Sequence, residues 1–300
     1  MYYIDLGSST IKTYKYINNN VQMIEENSIY FKNGFSAESG ISYEKSEELY
    51  KYFSELKRKY KLSKYNTEIY VTGIFRNLNE IKKNEMQYNF KEKVNLKFNI
   101  ISHYTEGCYL EKAMQGNYNN KKVMIINMGG KTTEILSIDK GIVTDTQNVT
   151  IGVAELLNGF TEINNEYADV KIEDIMNYAN SIIEDVEFDK DYDCAIFTGG
   201  ELRFESLTGY NLVKNDIFKD KNHPYMITYE DFVKGNEKIL YKMTLEELYD
   251  LMPHNPKWMD GARAGAILAQ AIFNKAGINT IIPSDINLIN GVIKDLESKS

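Results

Sequence analysis

Two short glycine-containing turns, about 120 residues apart, carry the residue types that bind phosphate. The first is DLGSSTIK, from Asp5 to Lys12, and the second is NMGGKTTE, from Asn127 to Glu134. Glycine lets the backbone approach a ligand and turn its N–H groups toward an anion without a Cβ in the way. Two such turns facing one group would hold a phosphate from both sides.

Backbone amides and small side chains of both turns are the expected phosphate contacts. They are Gly7, Ser8, Ser9 and Thr10 in the first turn and Gly129, Gly130 and Thr132 in the second. Asp5 and Glu134 are expected to contact Mg²⁺, which prefers a few carboxylates together with water and phosphate oxygens. A simpler interpretation remains open, since glycine is common in β-hairpins and Asp5 could cap a turn.

Composition and charge restrict the classes of protein to consider. A chain of 300 residues with 43% hydrophobic and 26% charged residues is typical of one large or two ordinary globular domains. The net charge of −8 argues against a nucleic-acid or membrane-surface binder. We find neither an apolar run long enough to span a membrane nor a signal-peptide pattern, so we expect a cytoplasmic protein. Two distant cysteines and three scattered histidines do not indicate a disulfide framework or a zinc site.

Strand-like and helix-like segments alternate along the chain, which predicts an α/β fold. The predicted strands are MYYIDLG, STIKTYKYI, VQMIEENSIYF, EIYVTG, LKFNIIS, VMIINMG, TTEILSID, GIVTDTQNVTIG, CAIFTGG and NTIIPSD. The predicted helices include SYEKSEELYKYFSELKRKY, a polar stretch to about Lys93, TEGCYLEKAMQG, KIEDIMNYANSIIEDV, WMDGARAGAILAQAIFNKAG and INLINGVIKDLES.

The order of these segments indicates an internal duplication. Each glycine turn opens a three-strand meander, which is followed by a helix and another strand. We therefore predict a first domain over residues 1–120 and a second over 121–300. We expect the C-terminal helix, about 286–300, to pack back on the first domain.

Seven segments, in order along the whole chain, resemble the exopolyphosphatase / guanosine pentaphosphate phosphohydrolase (Ppx/GppA) family of the actin-like superfamily. They are DLGSSTIK, VTGIFRNLNE, ISHYTEGCYLEKAM, VMIINMGGKTTEIL, NVTIGVAEL, IFTGGELRF and AGAILAQAIFNKAGINTIIPSDINLINGVIKDL. Within these segments Thr72, Arg76, Glu106, Asp285 and Gly291 match the family's motifs. The resemblance implies two duplicated actin-like (ribonuclease H-like) α/β domains with a cleft between them.

The resemblance also implies a reaction and the residues that perform it. Glu106 would act as the general base on the attacking water, and Arg76 would neutralise charge on the phosphoryl oxygens. Lys12 would add a second cation that binds phosphate nearby. Gly199 and Gly200 would face the nucleotide or a distal phosphate. The metal contacts, to Mg²⁺ or Mn²⁺, would be Asp5, Asn127 and Glu134. The implied substrates are polyphosphate or guanosine polyphosphates such as guanosine pentaphosphate, and relatives of this kind usually form homodimers.

Several positions in these motifs depart from the family's pattern. Ser9 replaces an asparagine, Cys108 an arginine, Asn127 an aspartate, Lys131 a glycine and Glu201 a threonine. Asn127 adds no negative charge for a metal, whereas the ammonium of Lys131 could partly replace a cation. An alternative is therefore a catalytically impaired regulatory protein that binds polyphosphate or a nucleotide. A kinase or filament-forming relative is less well supported, because the C-terminal segment matches the phosphatases better.

Overall fold

Two separate β-sheets, each with its own apolar core, organise the chain. The computed structural model describes residues 1–114, 118 and 120–299. Unit 1 comprises Met1–Tyr109 and Leu288–Ser300, and unit 2 comprises Leu110–Asn287. The predicted mixed α/β class is confirmed.

The described residues of unit 1 form a five-stranded sheet with the order β3-β2-β1-β4-β5. Its strands are β1 (Tyr2–Leu6), β2 (Thr10–Ile17), β3 (Asn20–Ser28), β4 (Thr67–Val71) and β5 (Asn99–Ile100). Its helices are α1 (Tyr43–Tyr60), the 3-10 helix Gly73–Asn77, α2 (Glu80–Val94), most of α3 (His103–Met114) and α10 (Leu288–Ser298). β1 pairs antiparallel with β2 and parallel with β4.

Alternation along β1 sends side chains to two different cores. Ile4 and Leu6 are fully buried in the cluster that α1 and α2 complete. Tyr3 points to the opposite face, where Leu288 and Val292 of α10 pack against it. Asp5 follows Tyr3 at a spacing of two, so it lies on the same face of the sheet as α10.

Local signals account for the ends of the long helix α1. The side chain of Ser42 accepts a hydrogen bond from the N–H of Lys45 at 3.2 Å, which caps the first turn. Lys61 adopts a left-handed conformation at the C-terminal end, and a basic last turn complements the helix dipole.

The described residues of unit 2 form a seven-stranded sheet with the order β10-β11-β12-β9-β6-β7-β8. Its strands are β6 (Lys122–Met128), β7 (Thr133–Asp139), β8 (Ile142–Val149), β9 (Cys194–Thr198), β10 (Val213–Lys214), β11 (Tyr225–Thr228) and β12 (Thr280–Ser284). Its helices are α4 (Val153–Gly159), the 3-10 helix Thr161–Asn164, α5 (Ile172–Ile182), α6 (Glu201–Thr208), α7 (Tyr229–Tyr241), α8 (Leu245–Leu251), the 3-10 helix Pro256–Gly261 and α9 (Ala262–Ala276).

The two sheets repeat one topology. In each sheet the first strand pairs antiparallel with the second and parallel with the fourth: β1 with β2 and β4, and β6 with β7 and β9. β5 and β12 then continue the sheets in parallel. Strands β10 and β11 are additions to unit 2. This shared order is what the predicted duplication requires.

Several element boundaries differ from those predicted from the sequence. β3 ends at Ser28 rather than continuing to Phe31, and β5 contains only Asn99–Ile100. Beyond Ser28 the N–H groups of Ile29 and Phe31 donate to the carbonyls of Ser9 and Ser8, which belong to the turn that precedes β2 and not to β2 itself. The end of predicted helix TEGCYLEKAMQG, at Gln115 and Gly116, lies outside the described residues. Among the described residues, no helix combines the length and apolar character needed to cross a bilayer.

Close packing of α10 against α3 determines how the C-terminal helix is held in unit 1. Gly291 of α10 lies directly against the backbone of Tyr109, and a Cβ built at Gly291 would overlap the carbonyl oxygen of Tyr109. A backbone carbonyl cannot rotate away as a flexible side chain can. Gly291 is therefore required for this contact.

We predict that Gly291→Ala will destabilise the protein by about 2–3 kcal/mol, because the added methyl group displaces α10 from α3. Urea unfolding measures the change. Gly265→Ala in α9 is the control, since a Cβ there would contact the side chain of Val153 at an ordinary 3.4 Å. Equal stability of the Gly291 variant and the wild type would show that the packing is looser than described.

Candidate functional site

The two predicted phosphate loops close in the same way. The N–H of Gly7 donates to the carbonyl of Thr10 at 2.9 Å, and the N–H of Gly129 donates to the carbonyl of Thr132 at 2.7 Å. Within the described part of the chain, the intervening N–H groups of Ser8–Ser9 and Gly130–Lys131 have no hydrogen-bond partner. Open amides in a tight turn are suited to an anion.

Each loop also carries a facing pair of functional residues at its base. Asp5 lies opposite Lys12 across β1 and β2, and Asn127 lies opposite Glu134 across β6 and β7. The amide of Asn127 donates to the carboxylate of Glu134 at 2.9 Å. The hairpins thus share one geometry, with the carboxylate on the first strand in unit 1 and on the second strand in unit 2.

The first loop is tied to the segment that carries Arg76. The hydroxyl of Ser8 accepts a hydrogen bond from the N–H of Ile74 at 2.9 Å. Gly73 precedes Ile74 with a φ of +66°, and a Cβ there would overlap the Ser8 hydroxyl. Glycine is therefore required at position 73, and the 3-10 helix Gly73–Asn77 begins at the loop itself.

Arg76 joins two residues at the start of α3. One terminal nitrogen of its guanidinium contacts Nδ1 of His103, and the other forms an ion pair with Glu106. The side chains of Arg76 and Glu106 are only 7% and 12% exposed. Because α3 begins at His103, Glu106 is in its first turn and benefits from the helix dipole.

Burial shifts the pKa values of Glu106, His103 and Asp5. It raises the pKa of Glu106, while the adjacent Arg76 partly offsets the rise. Burial, and then the charge of Arg76, lower the pKa of His103, which favours the neutral imidazole. Burial raises the pKa of Asp5 to about 7; Lys12 and Arg76 oppose this rise, and Glu106 adds to it.

Backbone contacts from the start of α4 hold the second loop. The N–H groups of Val153 and Ala154 donate to the carbonyls of Gly129 and Gly130, at 3.1 and 2.9 Å. A Cβ at Gly152 would lie 2.5 Å from the Gly129 carbonyl oxygen and 2.6 Å from the Lys131 nitrogen. Only glycine fits at position 152, so the loop and the start of α4 form one packed unit.

A glycine pair at the end of β9 lies beside the second loop. Gly199 and Gly200 have φ of +126° and +124°, which side chains other than glycine rarely adopt. A Cβ on Gly199 would lie 3.4 Å from the side-chain oxygen of Asn127. The exposed Lys131 is at the tip of the loop.

The predicted site residues divide between the two units. Unit 1 contains Asp5, Gly7, Ser8, Ser9, Thr10, Lys12, Arg76 and Glu106, and unit 2 contains Asn127, Gly129, Gly130, Lys131, Thr132, Glu134, Gly199 and Gly200. Within unit 1 the charges of Lys12, Arg76 and Glu106 all act on Asp5, so these groups are neighbours.

Three residues of the site were not among the sequence candidates: Gly73, His103 and Gly152. The only sequence signal for His103 is its position three residues before Glu106, which places both on one helix face. Gly73 and Gly152 lie within segments that resemble family motifs, but only the packing shows why glycine is needed there.

Comparisons of the sequence and of the fold with known proteins point to the same protein family. A sequence profile of the Ppx/GppA phosphatase family matches residues 25–300, so the match begins after the first loop. A search of curated proteins found no significant match.

Solved structures of this family share the fold. The Aquifex aeolicus Ppx/GppA family member has a TM-score of 0.70 at 18% identity, covering 99% of this chain and 97% of that chain. An exopolyphosphatase from Cytophaga hutchinsonii has a TM-score of 0.70 at 16% identity, with the same coverage of both chains. The type II variant of the Aquifex aeolicus phosphatase has a TM-score of 0.66 at 18% identity, covering 98% of each chain.

We predict that Gly152→Ala will loosen the second loop, because the methyl group pushes against the backbone of residues 129–131. Hydrogen exchange of the Val153 and Ala154 amides should become at least about tenfold faster, which corresponds to about 1.4 kcal/mol of lost protection. The control is Gly261→Ala, where a Cβ would lie 3.3 Å from the movable side chain of Val153. Unchanged exchange at both amides would contradict the packing described.

We predict that Asp5→Asn will stabilise the protein increasingly as the pH rises. Between about pH 4 and pH 7 folded Asp5 keeps its proton, whereas the unfolded chain, with the ordinary pKa of 3.8, has lost it. Asp5 therefore costs stability as the pH rises, and Asn removes that cost. The gain in unfolding free energy should be near zero at pH 4 and about 4 kcal/mol at pH 8, because each pH unit between the unfolded and the folded pKa contributes about 1.4 kcal/mol. Urea unfolding tests this against the exposed Asp216→Asn, and a gain independent of pH would contradict the raised pKa.

Proposed function

Because the chain belongs to the Ppx/GppA phosphatase family, we propose that it releases terminal phosphate from inorganic polyphosphate or guanosine pentaphosphate. The observation that carries the proposal is the Arg76–Glu106 ion pair beside the Ser8–Ser9 turn with open amides, all in unit 1. Phosphoryl transfer to water needs a carboxylate near the nucleophile and donors for the phosphoryl oxygens. Unit 1 supplies both.

Glu106 is the general base in this proposal. It accepts a proton from the attacking water, whose oxygen forms the new bond to the terminal phosphorus. The bridging P–O bond breaks, and the shortened chain leaves with the electron pair. Burial of Glu106 raises its pKa, which makes the carboxylate a stronger base than an exposed glutamate. The amides of Ser8 and Ser9, with Thr10 and Lys12, bind the phosphate oxygens.

The residues of unit 1 fit a divalent cation. One carboxylate oxygen of Asp5 is buried without a hydrogen-bond partner among the described residues, and its raised pKa shows that the ionised form needs a counter-charge. Bound Mg²⁺ or Mn²⁺ would neutralise phosphate charge. Asp5 would hold it in unit 1, and Asn127 and Glu134 are the proposed metal contacts of unit 2.

The second loop is proposed to be a phosphate-binding turn of unit 2. Its open amides at Gly130 and Lys131 and the positive side chain of Lys131 support an anion there. Thr132 adds a hydroxyl, and Gly199 and Gly200 would accept a more distal phosphate or the nucleoside. The predicted homodimer and cytoplasmic location stay predictions.

A second candidate is a protein that binds polyphosphate or a nucleotide without hydrolysing it. It is favoured by the hydrogen bond from the amide of Asn127 to Glu134, because a neutral amide attracts a cation less than a carboxylate would. Binding of polyphosphate with no phosphate release would support this candidate. Restored hydrolysis in Asn127→Asp would instead identify Asn127 as the limiting residue.

We predict that Glu106→Gln will lower kcat for phosphate release from polyphosphate by about 10²- to 10⁴-fold, because Gln cannot accept the proton. The KM should change little, since Gln retains the shape of the side chain. Release of inorganic phosphate with Mg²⁺ or Mn²⁺ measures the rate, for both polyphosphate and guanosine pentaphosphate. The matched control is Glu111→Gln on the same helix. Equal rates in the wild type and Glu106→Gln would exclude Glu106 as the base.

A further inference from the structure

His103 forms an unexpected contact at the start of α3. Its Nδ1 atom lies against a terminal nitrogen of Arg76, while the other terminal nitrogen of Arg76 reaches Glu106. A guanidinium carries only donors, so Nδ1 must be the acceptor and the proton of the neutral ring is on Nε2. This contact therefore fixes the tautomer of His103.

The helix geometry makes one guanidinium reach both residues. His103 and Glu106 are three residues apart on α3, so their side chains share one face. Arg76 comes from a short 3-10 helix whose start is tied to Ser8. Because both terminal nitrogens of Arg76 have a partner, the guanidinium plane is fixed. If only one nitrogen had a partner, the plane could rotate about that contact.

The surroundings of His103 keep it in the accepting form. Its ring is partly buried, and burial together with the charge of Arg76 lowers its pKa. The charged groups of unit 1 that share this cluster with Arg76 are Glu106 on α3, Asp5 on β1 and Lys12 on β2. The guanidinium is therefore held by one charged partner, Glu106, and by one uncharged partner, the imidazole of His103, and the second contact fixes its orientation.

We propose that His103 is a positioning residue: it holds Arg76 in the one orientation that keeps the carboxylate of Glu106 directed for proton transfer. This inference rests on the proposed hydrolase function. In this proposal His103 acts through Arg76 and takes no part in the chemical step itself. The property that this role requires of His103 is a hydrogen-bond acceptor at the position of Nδ1. Substitutions can test this property separately from the volume of the side chain.

An isosteric pair of variants separates these properties. His103→Asn places an amide oxygen near the position of Nδ1, and His103→Leu has nearly the same size without an acceptor. We expect kcat within about threefold of the wild type for His103→Asn and about 10- to 100-fold lower for His103→Leu, with KM unchanged within about twofold. Unfolding curves should be similar for both variants, and His254→Leu, at an exposed histidine, is the control.

Different results would contradict the proposed hydrolase function and the proposed positioning role of His103. No phosphate release from the wild type would contradict the hydrolase function alone. The contact is then tested by ¹³C NMR titration of Glu106: its pKa should rise in His103→Leu, where Arg76 is held less firmly, and stay unchanged in His103→Asn. Equal kcat values, or equal Glu106 titrations, in the Asn and Leu variants would overturn the role of His103.

Discussion

The ion pair between Arg76 and Glu106 is the interaction on which the candidate site depends. Removing a carboxylate from water costs several kcal/mol, and an adjacent cation returns only part of this cost. Here burial outweighs the attraction of Arg76, so the pKa of Glu106 is raised rather than lowered. The balance leaves a carboxylate that is ionised beside its arginine yet basic enough to take a proton.

Burial and charge attraction also oppose each other at the neighbouring charged residues of unit 1. Asp5, Lys12, Arg76 and Glu106 crowd opposite and like charges around the end of one strand. Such a cluster is a poor way to stabilise a fold, because unpaired oxygens such as that of Asp5 remain buried. The apolar core on the other face of the sheet, built around Ile4 and Leu6, must offset this cost. A ligand or cation would relieve it.

Much of the fold could be predicted from the sequence, because glycine turns and strand alternation are local signals. The repeated hairpins, the α/β class and most helices were predicted from such patterns. Strands β10 and β11 were missed, since strands of only two and four residues carry no periodicity. The ends of β3 and β5 were wrong because tertiary pairing, not propensity, determines where a ladder stops.

The turn residues of the site were predictable from their glycine and hydroxyl pattern, and further site residues only from the family motifs. Glu106 and Arg76 were proposed from resemblance, and the structure adds that they contact each other. His103 was not proposed, because one histidine among three has no pattern and its partner lies 27 residues away. The need for glycine at position 152 was likewise not predictable, because the backbone of residues 129–131 lies close to it only in the folded chain.

The most direct test of the central claim is the pH dependence of kcat/KM for the wild type and Arg76→Gln. If Glu106 is the base, the rate must fall at low pH as its carboxylate takes up a proton. Arg76 lowers the pKa of Glu106, so its removal should move this acid limb to higher pH. An acid limb at the same pH in both proteins would contradict the account, because the group that titrates would then not be the carboxylate paired with Arg76.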